Sequence, residues 1–207
     1  MDAKLRGIIE KFRDYLNAHN GKAVISLDVI SSHSGIPREE IARHFAGEAE
    51  LVEKVLEFER QRFEEIFRIH TFDGVNAIDV LLTVSKEVAE KFIDISPSVT
   101  FVLKKHYPEI YHQHFIQRRD FIYEKIQLNL SKGIRQGMYR DDLSVELIAR
   151  LYLSRLIDLH NPDFFPPEEF SSETIFNVMF ENFIRGIAKP EGLAYFEAKK
   201  KIYGFGS

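Results

Sequence analysis

Apolar residues recur at three- and four-residue steps along almost the whole chain, and that period decides the fold class first. Leu5, Ile8, Ile9, Phe12 and Leu16 set the pattern, which places them on one stripe of a helix. Strand-like alternation between turn residues is hard to find. The chain is predicted to be all-α. A first helix over 4–19 stops at Asn20-Gly21. Ser26 then N-caps a short helix to His33, Gly35 supplies a turn, and Pro37 opens a second short helix ending at Phe45. Two short helices across a tight Gly turn are a helix-turn-helix. A longer helix runs from Glu48 to His70, with Leu51, Val52, Val55, Phe58, Phe63, Ile66 and Phe67 inward, and breaks at Thr71-Phe72-Asp73-Gly74. Further helices are expected over 75–95, from Pro97, from Pro108 to Gln136 before Gly137, over 144–160 and 172–188, and from Glu191 to Tyr203. The run Asn161-Pro162-Asp163-Phe164-Phe165-Pro166-Pro167 continues neither of its neighbours.

The first three helices make a unit too small to bury a stable core alone, so further packing is required. The predicted architecture is a three-helix head at 1–47, a connecting helix at 48–70 and a larger helical body at 71–207. With 28 basic and 32 acidic residues the chain carries −4, which excludes a broadly basic nucleic-acid coat but not a local patch. The absence of cysteine excludes disulfides, thiolate metal sites and a cysteine nucleophile, and fits a reducing cytosol. The first thirty residues are amphipathic, and no apolar run approaches a membrane span. A soluble, cytoplasmic protein is the expectation. Eighteen Phe and eight Tyr stand against no Trp, and most of the Phe lies beyond Thr71.

The stretch SLDVISSHSGIPREEIARHFAGEAEL, Ser26 to Leu51, resembles the signature of the TetR family of one-component bacterial transcriptional regulators at Ser26, Ile30, Gly35-Ile36, Ile41, His44-Phe45 and Leu51. Ile30, Ile36, Ile41 and Phe45 read as the small core fixing the angle between the two helices, with Gly35 in a conformation a Cβ disfavours. Downstream, GIRQGMYRDDLSVELIARL (133–151) and FENFIRGIAKPEGLAYF (180–196) look like the last part of such regulators. The resemblance implies a non-enzymatic homodimer that binds a double-stranded DNA operator and responds to an unknown small-molecule effector, without a cofactor. It implies DNA contacts from Ser26, Arg38, Glu39, Arg43 and His44. Two departures are evident: Ala42 where many members carry Tyr, and Glu48 where they usually carry a phosphate-contacting Lys.

Read directly, residues 1–47 hold seven bases (Lys4, Arg6, Lys11, Arg13, Lys22, Arg38, Arg43) and six acids (Asp2, Glu10, Asp14, Asp28, Glu39, Glu40), a net of +1. Phosphate contacts supply most non-specific affinity, so this footprint is thin. Arg38 or Arg43 can still read guanine and Glu39 can accept from cytosine. Ile148 and Tyr152, with Phe176, Met179, Phe180, Phe183 and Ile187, give the last two long helices wide apolar faces. These make either a four-helix dimer interface or intrachain core. Phe101, Tyr107, Tyr111, Phe115, Tyr152 and Phe176 make either bare core or a pocket for an apolar or aromatic ligand. A second function class follows: a carrier of an apolar ligand or lipid, similar to the lipid-binding ubiquinone-biosynthesis proteins of this fold, with a head that no longer binds DNA.

His112 and His114, two apart, point to different sides of a helix and do not chelate together, and His106 belongs to another helix, so no metal site is expected. Phosphate loops, HExxH and GxSxG are missing, and no residue set assembles nucleophile, base and stabiliser. Lys199-Lys200-Lys201 reads as a solvated helix end.

Overall fold

The computed structural model describes residues 3–19, 22–92, 97–159, 161, 163–166 and 168–205, with the side chains of 92 and 97–101 outside that description. Among the described residues ten α-helices follow in order: α1 (Ala3–Ala18), α2 (Leu27–Ser34), α3 (Arg38–His44), α4 (Glu48–Ile69), α5 (Ala77–Phe92), α6 (Pro97–His106), α7 (Pro108–Arg135), α8 (Val145–Asp158), α9 (Ser172–Ile187) and α10 (Pro190–Lys199). A 3₁₀ turn, Lys200–Tyr203, closes the described chain. Among the described residues there is no strand, only an isolated antiparallel bridge between Tyr139 and Ala188. The expected stop at Asn20-Gly21 lies outside the described residues.

The punctuation residues act as their chemistry predicts. Ser26, Ser144 and Ser171 accept amide hydrogen bonds at the starts of α2, α8 and α9, while Pro97, Pro108 and Pro190 each take a first helical position, where the missing N–H is no loss. At the end of α7, Gly137 adopts φ 72°, a conformation that turns the chain and that side chains disfavour.

Packing divides the chain into two compact units that interleave in sequence: residues 1–68 with 91–118, and residues 69–90 with 119–207. In the first, Ile8, Ile9, Phe12 and Leu16 of α1 meet Leu27 and Ile30 of α2, Ile41 of α3, Phe45, and Leu51, Val52, Val55 and Leu56 of α4. Tyr15 pins the loop after α1, its hydroxyl donating to the Val24 carbonyl (2.9 Å) and accepting from the Val24 amide (3.0 Å). Arg13 of α1 and Glu59 of α4 pair at 2.6 Å, with 14% of each side chain exposed.

The second unit is held by a clasp built from the two downstream motifs. The backbone turns so that both Met138 and Tyr139 amides donate to the Gly133 carbonyl (2.9 and 3.1 Å), and the Tyr139 ring lies against the Gly133 Cα, where a Cβ would come within 2.0 Å of it. Arg140 then donates to the Ile187 carbonyl, and Lys189 to that of Met138. Gly192 of α10 admits the Met138 carbonyl, which a Cβ would approach to 2.2 Å. The Tyr139 hydroxyl donates to Asn129 Oδ1 (3.1 Å), and Asn129 Nδ2 donates to the Ala77 carbonyl (2.8 Å), so this buried polar chain is satisfied. The basic run near the end is not a solvated helix terminus as expected. Lys200 is tied to Glu181 and Glu197 and Lys199 lies over the Tyr195 ring, because the last turn packs on α9, leaving Lys201 exposed.

Candidate nucleic-acid interface

The helix-turn-helix is fixed from below and from within. Gly35 ends α2 at φ 69° with its amide on the Ser31 carbonyl. Ser31 Oγ donates to the Ile36 carbonyl (2.7 Å), and Ser34 Oγ accepts from the Ile36 amide (3.2 Å). Lys11 reaches from α1 to donate to the Ser34 carbonyl (2.7 Å), satisfying an acceptor that the helix end leaves open. Ile30, Ile41 and Phe45 are buried and Ile36 half-buried, so the inner face of α3 is fully used. Its outer face presents Arg38, Glu39, Ala42 and Arg43 to solvent, with His44 half-buried.

Charge on this face is arranged one pair at a time. Arg38 Nε meets Asp28 Oδ1 at 2.8 Å, but both groups are largely exposed; such a pair is worth about 0–1 kcal/mol, so Arg38 can exchange it for a base or phosphate. Arg43 has no acid partner among the described residues. Glu40 lies 3.7 Å from Lys4, whereas Glu39 is exposed. The resemblance puts Glu48 where the family usually carries a phosphate-contacting Lys. The structure instead turns its carboxylate onto α2, where Oε1 accepts from the Leu27 amide at 3.2 Å. Hydrogen bonds from its own amide and from Leu27, with the charge of Arg38 adding, hold this carboxyl below the usual carboxylate range. Glu50 accepts from the Ala46 amide (2.6 Å), closing the start of α4. The backbone roles of Glu48 and Lys11 join residues more than 20 positions apart, a relation that no local spacing carries.

The aromatic residues expected to line a pocket fall in different units. Tyr107 and Tyr111 pack half-buried against the first core, where desolvation, with the charge of Glu48 adding, raises the Tyr107 hydroxyl. Phe115 is half-buried in the same unit, and the Phe101 side chain lies outside the described residues. Tyr152 and Phe176 belong to the second core, Tyr152 stacking on Phe183 with ring centroids 4.0 Å apart. A hollow of about 460 Å³ on the head is lined by Tyr15, His19, Asp28, Val29, Ser32 and His33, and another of about 310 Å³ in the second unit by Arg119, Asp120, Tyr123, Arg150 and Leu153; none of the expected residues lines either. The expected dimer residues also lie largely inward. Phe180, Ile187, Met179 and Tyr152 are buried in the second core, and Ile148, Phe176 and Phe183 are half-buried there. Leu147 and Leu151 of α8 and Val178 of α9 are instead the apolar residues left 58–59% exposed.

No protein-family model matches the sequence. CprB of Streptomyces coelicolor, a TetR-family protein solved with its biological operator sequence, is 16% identical, covers 95% of this chain over 94% of its own, and superposes with a TM-score of 0.68. The chain has the TetR fold. SmeT, repressor of the Stenotrophomonas maltophilia efflux pump SmeDEF, gives 15% identity, 91% and 92% coverage and a TM-score of 0.69. A putative transcriptional regulator of Saccharomonospora viridis, solved with choline, gives 16% identity, 90% and 98% coverage and 0.72. By sequence, the nucleoid occlusion factor SlmA of Aliivibrio fischeri is 22% identical over 153 residues, 72% of this chain and 76% of that protein. Within this fold α3 is the second helix of the helix-turn-helix. Among the described residues no helix is long and apolar enough to cross a membrane, and no group of three His, Asp or Glu is placed to hold a metal.

Proposed function

We propose that the protein is a homodimeric DNA-binding transcriptional regulator controlled by a small apolar or aromatic ligand, with residues 1–47 reading DNA and residues 71–207 carrying the ligand response and dimerisation. The observation that carries this reading is the head: a turn held by Gly35, Ser31 and Ser34, a filled core beneath it, and an α3 outer face that keeps Arg38 and Arg43 available. Arg38 and Arg43 supply guanine or phosphate contacts, Glu39 a cytosine acceptor, and Ser26 and His44 flanking polar contacts. Two heads of a dimer then address successive major grooves about one helical turn apart.

The dimer reading is supported by the outer stripe of α8 and α9. Leu147 and Leu151 lie on one helix, and Thr174, Val178, Asn182 and Gly186 on the other, all exposed in the single chain. A Cβ on Gly186, in the last turn of α9, would meet nothing within 4 Å, so packing inside the chain does not call for a glycine there. A closely approaching helix of a second copy does.

The test is fluorescence anisotropy or gel retardation on the DNA upstream of its own gene at low salt. Saturable binding at micromolar protein, weakened by Arg43→Ala, is expected; no binding by the wild type refutes the regulator. One observation favours a second reading, an apolar-ligand carrier with a silent head: the Glu48 carboxylate on the α2 amide. Native mass spectrometry distinguishes the two, since a carrier retains a bound lipid and a clean apo mass counts against it.

A further inference from the structure

Three acids in and just after α3, Glu39, Glu40 and Glu48, sit in three different environments. Glu40 faces Lys4 and Glu39 faces solvent, but Glu48 is held as an anion by the protein itself. The Leu27 amide it takes belongs to the first turn of α2, where N–H groups have no acceptor within the helix; Ser26 Oγ serves the next free amide, Asp28, at 3.3 Å. Glu48 is also the first residue of α4, so its carboxylate lies at the positive ends of two helices, with Arg38 contributing a third favourable charge. A carboxylate so placed stays ionised wherever the protein is folded near neutral pH.

The first helix of a helix-turn-helix crosses the DNA backbone, and helix N-termini are among the groups that hold backbone phosphates. The N-terminus of α2 is therefore already occupied by an anion of the right charge and hydrogen-bonding capacity. We propose that Glu48 is a built-in competitor for backbone phosphate, whose carboxylate fills the first turn of α2 and lowers the affinity of the head for every duplex alike. Because it acts on phosphate and not on base edges, it leaves the preference between sequences untouched while suppressing the sequence-independent part of binding. The head then depends on base contacts from α3 to hold DNA at all, which keeps it off arbitrary sequence.

This inference rests on the DNA-binding reading, and the experiment separates the two. Full-length wild type, Glu48→Gln and Glu48→Lys are compared by anisotropy on the upstream duplex and on a scrambled duplex of equal length, across 50–300 mM salt. Glu48→Gln keeps an acceptor for the Leu27 amide, and thermal melts confirm that it folds. Removing one negative charge a few ångströms from a phosphate should tighten binding about four- to tenfold on both duplexes. Glu48→Lys should tighten it further and steepen the log–log salt slope by about one. Equal affinity of wild type and Glu48→Gln on the upstream duplex overturns the proposal and leaves the regulator standing, whereas no binding by any of the three refutes the regulator. A titration with inorganic phosphate, followed at the Leu27 amide by NMR, needs no DNA: the resonance should move in Glu48→Ala, which frees that amide, and stay in the wild type, and equal movement in both overturns the competition.

Discussion

Replacing Gly133 with alanine sets two opposite effects against each other within one helix. Gly133 lies inside α7, where Ala is intrinsically favoured by about 1 kcal/mol. The new Cβ, however, would sit 2.0 Å from Tyr139 Cδ2 and 2.2 Å from Cε2, so the ring must retreat by well over 1 Å. It has nowhere to go: Tyr139 is fully buried, its hydroxyl is held by Asn129, and its amide is bonded to Gly133 itself. Overpacking of this kind costs about 1–3 kcal/mol, and a buried hydrogen bond lost as the ring moves adds about 1–3 kcal/mol. Against the helical gain, Gly133→Ala should destabilise by about 1–5 kcal/mol. For a chain of this size that lowers Tm by roughly 2–20 °C. Gly7→Ala in α1, where a Cβ meets nothing within 4 Å, is the matched control and should gain a few tenths to about 1 kcal/mol. Urea denaturation of the two variants gives the answer, and a Gly133→Ala midpoint at or above the wild type refutes the clasp.

His114 carries a buried Nδ1 without a hydrogen-bond partner, and desolvation, with Arg118 and Arg60 adding, pushes its pKa down to about 4. The unfolded chain protonates this group near pH 6.5 and the folded one does not, so its contribution is whole above pH 6.5 and is lost as pH falls toward 4. About 1 kcal/mol should disappear between pH 7 and 5.5, and His114→Gln should flatten that part of the Tm profile; an unchanged slope contradicts the assignment. Leu151→Glu places a charge on a position exposed in the single chain and should change the stability of the isolated chain by under about 0.5 kcal/mol while splitting the proposed dimer, as read by analytical ultracentrifugation. A dimer that survives it excludes this face. Glu59→Ala strips a partly buried partner from Arg13, whose Nη2 already has no hydrogen bond, and from Arg62, whose Nη1 lies 3.2 Å from the same carboxylate. It should cost about 2–3 kcal/mol in chemical denaturation, and a cost within about 0.5 kcal/mol shows that the two pairs add little.

The helices were legible because their ends are written in short-range chemistry. Ser26, Ser144 and Ser171 before helices, proline at 97, 108 and 190, and glycine at 35 and 137 act within four residues of themselves, so reading them requires no tertiary knowledge. The outward faces of α8 and α9 were not legible. Leu147 and Leu151 are as apolar as Ala149 and Tyr152, and a helix that is apolar over a wide arc does not record which part meets its own chain. Glu48 was legible as a charge and illegible as a hydrogen-bond acceptor, since its partner lies 21 residues away. Lys200 was misread for a related reason: Glu197 lies three residues back, but Glu181, on α9, lies 19 residues away.

The tie between Tyr195 and Asp79 spans 116 residues, with the hydroxyl donating at 2.5 Å to a carboxylate at the start of α5. In biosynthesis, α5 emerges from the ribosome before α7, whose Asn129 and Gln136 hold the Ala77 backbone, and long before α10, so the core around Ile78 and Leu82, both fully buried in the folded protein, is completed only when α10 has been made. Contacts of such sequence separation form slowly, because a long loop must close before they reward it. Closing the second unit therefore waits on α10, and until then the apolar face of α5 stays partly uncovered, the kind of transiently exposed surface that favours aggregation.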